Sequence, residues 1–91
     1  TEVALATEMA SLAGGAEALA ARAEELANQG DFRLACHLIE MAATAHADSK
    51  RIHEIRAAIY TERRKIETSF MATGIYRSAA LDSKARIDEL S

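Results

Sequence analysis

Asn28-Gln29-Gly30-Asp31-Phe32-Arg33 is the stretch that decides the fold, because an apolar-striped helical pattern runs up to it and a second one leaves it. Gly30 suits the left-handed conformation that ends a helix, and the Asp31 carboxylate suits the amide hydrogens left open at the start of the next one. The two patterns therefore meet as a hairpin. Upstream, Ala16, Leu19, Ala20, Ala23, Leu26 and Ala27 recur at helical spacing over 16–28, with Glu17, Arg22, Glu24 and Glu25 opposite. Downstream, 31–46 carries two stripes, Leu34, Leu38, Met41, Ala45 and Ala35, Ile39, Ala42, which leave Arg33, His37, Glu40 and Thr44 as a narrow polar line. A helix wet along so little of its girth is covered on two sides, and this one is expected at the centre of a bundle.

Working outward, Leu5, Met9 and Leu12 form one apolar stripe over 1–13, so a short helix is expected before Gly14-Gly15. After the central helix, Asp48 or Ser49 is the expected N-cap of a segment whose seam is Ile52, Ile55, Ile59 and Ile66. Arg51, His53, Glu54, Arg56, Glu62, Arg63, Arg64 and Lys65 read as its solvated remainder. Thr68-Ser69 is either a polar turn capping a further helix or a bend inside one long helix, and the turn is the preferred reading. The last segment, 69–90, places Met71, Ile75, Ser78 and Ala79 on one face, with Phe70, Tyr76 and Leu81 available for a second contact.

Composition agrees with an all-α class. The 91 residues include no proline, Val3 is the only valine, and the four glycines sit near expected boundaries. Apolar residues are 49% of the chain, but much of that is alanine and only four residues are aromatic. Such a chain forms one domain, 1–91, with a thin core. The expected fold is a four-helix array of two antiparallel tetratricopeptide-like hairpins plus a short N-terminal helix. Gly15 and Ser49 stand 34 residues apart, which is the tetratricopeptide period, although the halves share little sequence.

The charge and motif content excludes several function classes. A net charge of −3 with acids and bases interspersed provides no field for a polyanion. Arg51, Arg56, Arg63, Arg64 and Lys65 are interleaved with Glu54, Glu62 and Glu67, and the helix after Gly30 presents apolar side chains rather than base-reading ones. Neither nucleic acid nor a membrane is expected as a partner. His37, His46 and His53 lack the i, i+3 or i+4 spacing that brings two imidazoles to one metal, so no metal or cofactor is expected in this chain. No serine, histidine and acid match a hydrolytic motif, and no catalytic residue is assigned. The single Cys36 reads as a small buried hydrophobe, which fits a reducing, cytoplasmic setting. A start at Thr1 without methionine suggests a domain of a longer protein.

Gly14-Gly15, the run Gly30 to Ala35, the run His37 to Ala42 and the run Met71 to Ala80 together resemble the alkyl sulfatase dimerisation domain, over roughly Leu12 to Leu81. The resemblance implies a helical module that follows a zinc-dependent metallo-β-lactamase-fold hydrolase domain and joins two subunits. Zinc is thus expected only in the parent's catalytic domain, whose H-x-H-x-D-H signature is absent from this chain. The chain departs from the secreted members at His46-Ala47-Asp48, where they have an Asp-Pro turn, and at Arg63 to Ile66, where they have a Gly-Tyr turn. A divergent branch is implied, with a homodimer and the parent catalytic domain as partners. Met41, Ile59, Tyr60, Phe70, Ile75 and Tyr76 are the expected interface positions, the aromatic ones being equally suited to the core. The alternative is a tetratricopeptide-like adaptor that binds a peptide or partner protein in its groove.

Overall fold

The computed structural model describes residues 1–66 and 70–91, and of residues 70–76 the backbone alone. Five helices are present among the described residues: α1 (Glu2–Leu12), α2 (Ala16–Asn28), α3 (Phe32–Ala45), α4 (Lys50–Ile66) and α5 (Phe70–Leu90). The fold is all-α, an array of helices with no strand in the described residues. α4 and α5 pack along each other, so the segment from Lys50 to Leu90 is two helices and not one. The expected Thr68-Ser69 turn between them lies outside the described residues.

Local chemistry sets the first two corners. At the end of α2, Gly30 N–H donates to the Ala27 carbonyl (3.0 Å) and Asp31 N–H to the Leu26 carbonyl (2.9 Å), with Gly30 at φ +88°. This Schellman arrangement requires a left-handed residue at the first position past the cap, and glycine adopts it without a Cβ clash. The same pattern closes α1: Gly14, at φ +98°, donates to Ser11 (3.1 Å), and Gly15 donates to Ala10 (2.7 Å). Asp31 then caps α3 by accepting from Leu34 N–H at 3.2 Å. Ser49 caps α4 by accepting from Ile52 N–H at 3.2 Å, and its hydroxyl donates to Glu17 at the start of α2.

α3 touches α1, α2 and α4, which is the central position expected for it. The α2–α3–α4 core is built largely of alanine: Ala20, Ala23, Ala35 and Ala42 are fully buried, around Ile39, Ile52, Ile55 and Ile59. Small side chains bring the backbones close, so each contact buries little area. α4 and α5 run antiparallel, with His53 opposite Ser83 and Arg56 opposite Ala79.

Four expectations about exposure need correction. Leu34 belongs to a stripe expected to be covered, yet it is 45% exposed, whereas Leu38 one turn on is half-buried. Ile66 continues the isoleucine seam but is 64% exposed at the end of α4. On α5, Ser78 is exposed, whereas Ala80 and Ser83 are buried and Ala79 is half-buried. Of the expected face, Ala79 is partly covered and Ser78 is not, and Met71 and Ile75 lie outside the residues whose side chains are described. His53 and Arg56, read as solvated, are drawn inside by α5.

The corner chemistry yields a measurable expectation. Asp31→Ala should lower unfolding free energy by about 1 kcal/mol through loss of the cap, and Gly30→Ala by about 1 kcal/mol through its positive φ. Urea denaturation followed by circular dichroism reads both, and neither change should alter the helix content of the folded state.

Candidate interaction surface

α1 is held against the bundle by Ala6 and Ala10, its two buried residues. Leu5 and Met9 each precede one of these alanines, so they lie roughly 100° round the helix from the docked face. Leu12 continues their strip one turn on. The expected stripe exists, but it faces outward rather than into the bundle: Leu5 is 61%, Met9 39% and Leu12 82% exposed. Leu5 and Ala6 also border a shallow groove on α3 lined by His37, Met41 and Thr44.

The residues expected at an interface are dispersed. Met41 is half-buried beside that groove, where it has surface left to offer. Ile59 is enclosed in the chain's own core. Tyr60 is buried too, and its hydroxyl donates to Glu40 at 2.7 Å. Phe70, Ile75 and Tyr76 lie outside the residues whose side chains are described. The α1 strip is absent from the expected interface set, since an apolar stripe carries the same letters whichever way it faces.

Between α3, α4 and α5 lies a cluster that sequence reading missed. The Arg56 side chain, 12% exposed, donates through Nε to Glu40 (2.8 Å) and through Nη1 to Asp82 (3.0 Å), to Ser83 Oγ (2.6 Å) and to the Ala79 carbonyl (3.1 Å). Its guanidinium stands 5.4 Å from the centre of the Tyr60 ring. Burial works against the Arg56 charge, but the hydrogen bond and charge of Glu40, with Tyr60 and Asp82, outweigh it and raise its pKa further. Burial pushes the Tyr60 phenol far above its usual range, and Glu40 pushes it the same way.

His53 Nδ1 lies 3.0 Å from Ser83 Oγ, a distance that in a cleft would suggest a nucleophile and its base. The surroundings remove that reading. Ser83 is fully buried, and His53 Nε2 donates to the Ala47 backbone carbonyl (2.7 Å) rather than to a carboxylate. A carbonyl only accepts, so Nε2 carries the hydrogen and, in the neutral ring, Nδ1 accepts from the Ser83 hydroxyl. The cluster is a structural bracket tying α5 to α4. No group of three or more His, Cys, Asp or Glu side chains suited to a metal ion occurs among the described residues. Cys36 is buried with a free thiol.

Two outcomes test the bracket. Arg56→Met should cost about 2 kcal/mol, less than the roughly 3–5 kcal/mol of a fully buried broken pair, because Glu40 and Asp82 keep access to water. Because the phenol pKa is higher folded than unfolded, the Tyr60 contribution is complete below about pH 10 and is lost as pH rises beyond that value. Urea midpoints taken on both sides of that pH should fall on the alkaline side in the native chain and fall less in Tyr60→Phe.

A family model described as alkyl sulfatase dimerisation matches residues 1–86, a span that takes in α1 as well as the segments carrying the resemblance in sequence. Comparison with curated proteins and with solved structures gives no match. With all but the last few residues aligned to one family, the chain belongs to the alkyl sulfatase dimerisation family.

Proposed function

We propose that this chain is the assembly module of a longer, metallo-β-lactamase-fold, alkyl sulfatase-like hydrolase, and that it joins two copies of that protein by burying apolar surface. The observation that supports this reading is the outward strip Leu5, Met9 and Leu12 on α1. Each large aliphatic side chain left in water forgoes about 1.5–3 kcal/mol of burial. A continuous strip of them on a small domain is the mark of a contact surface rather than of ordinary surface scatter. Membership of a family described by dimerisation points the same way.

In this reading the chain contributes no catalytic residue, and zinc belongs to the parent's catalytic domain. The module fixes two such domains relative to one another, in a reducing, cytoplasmic setting where Cys36 stays a thiol. No helix among the described residues is long and apolar enough to cross a membrane. Neither nucleic acid nor a membrane surface is a partner in this proposal, in keeping with the interspersed charge. The adaptor alternative needs a groove with polar groups to spare. Of the side chains lining the groove between α3 and α4, Arg56 and Tyr60 are both bonded to Glu40 and Arg63 reaches the Phe32 carbonyl, which leaves Arg33 and His37 as its open polar groups.

Sedimentation equilibrium tests the proposal. The native chain should form a dimer at micromolar concentration. Leu12→Asp, at a position 82% exposed within the single chain, should shift it to monomer without loss of helix content. A native chain that stays monomeric at every accessible concentration would rule the proposal out.

A further inference from the structure

α3 and α4 run antiparallel, with Glu40 against Arg56 at one end of their junction and the Phe32 carbonyl against Arg63 at the other. The cleft along this junction has a volume of about 460 Å³. Each helix lines it with residues at spacing i, i+4 and i+7, which share one face: Arg33, His37 and Glu40 from α3, and Arg56, Tyr60 and Arg63 from α4. Three guanidinium groups thus share the cleft with one carboxylate, in a chain whose net charge is −3.

That carboxylate is engaged, since Glu40 Oε1 accepts from both Arg56 Nε and the Tyr60 hydroxyl. Arg63 is anchored through Nη1 to the Phe32 carbonyl at 3.5 Å, which sets its charge at the same end of the cleft as Arg33. Arg33 and His37 are exposed, and Arg33 has no ion-pair partner among the described residues. The acids nearest that end do not line the cleft. Asp31 accepts from the Leu34 N–H that it caps, and Glu62 borders the grooves that α4 forms with α2 and with α5.

We infer that this cleft binds a small oxyanion of the phosphate or sulfate type at the end where Arg33, His37 and Arg63 meet. A peptide backbone presents donors and acceptors together, so a groove that holds one must offer both. Arg33 offers donors only, in the planar fork that suits the oxygens of such an anion, and a neutral His37 adds one more. The ligand that fits therefore presents oxygens. It is small because the field is local: Asp31 and Glu62 are exposed just outside, which leaves no continuous basic track for a polyanion. A monomeric native chain would leave this site untouched, because none of its groups lies on the α1 strip.

Titration of the chain with sodium phosphate, and separately with sodium sulfate, at constant pH and ionic strength tests the site through the ring protons of His37 in NMR spectra. Their shift should saturate at about millimolar concentration for at least one of the two ions, while those of the exposed His46 should not follow. Arg33→Gln should weaken binding about fivefold or more, through loss of a charge-assisted contact. Arg64→Gln removes the same charge from an exposed position of α4 off the cleft, and should change binding less than about twofold. Calorimetric titration of His37→Gln gives a second reading, with a loss in the same direction as Arg33→Gln, and circular dichroism confirms that the variants keep their helix content. No saturable shift of His37 with either ion would overturn the inference. Equal weakening by Arg33→Gln and Arg64→Gln would overturn it too, since the ion would then be held by overall charge and not by the cleft.

Discussion

Alanine packing is the constraint from which the rest of this structure follows. Ala20, Ala23, Ala35 and Ala42 let α2, α3 and α4 approach closely, and Ala6 and Ala10 let α1 lie down on α3 and α2. Close approach with small side chains forms a well-defined array, but it encloses little volume. A thin core cannot take in every large residue that the helices carry. α1 illustrates the consequence: the contact that holds it uses its alanines, so its leucines and Met9 are turned away.

The other half of the array is held differently. α5 has alanines and serines where it meets α4, and polar chemistry supplies what apolar burial does not. Arg56 reaches a carboxylate on α3 and a hydroxyl, a carboxylate and a carbonyl on α5, so one side chain joins three helices. His53 ties the approach to α4 to the middle of α5 through Ala47 and Ser83. Arg86 adds an exposed link from α5 to Asp48. Because these groups are directional, they fix the register of the last hairpin as well as its attachment.

The parts of the fold legible in the sequence are those decided within a few residues. Gly30 and Asp31 act on neighbours no more than five positions away, and the boundaries of α2 and the caps at Asp31 and Ser49 are readable for that reason. What depends on distant segments is not readable. Which of two adjacent strips of α1 docks is settled by the shape of α3, and the longer side chains mislead. The burial of His53 depends on Ser83, 30 positions on, and nothing in the residues around His53 signals it. Tyr60 is open to either reading as interface anchor or core, and Glu40 on another helix decides where its hydroxyl goes.

For a dimerisation module, the arrangement separates two tasks. The alanine core and the Arg56 bracket keep one chain folded, while the uncovered flanks are free to hold two chains together. Hydrogen exchange of backbone amides, measured as a function of protein concentration, addresses that separation most directly. If a second copy covers the outward strip, amides of residues 2–12 should slow their exchange as concentration rises, while those of α2 should not change. Exchange in α1 that is the same at all concentrations, in a chain whose core amides remain protected, would contradict a dimer built on that strip.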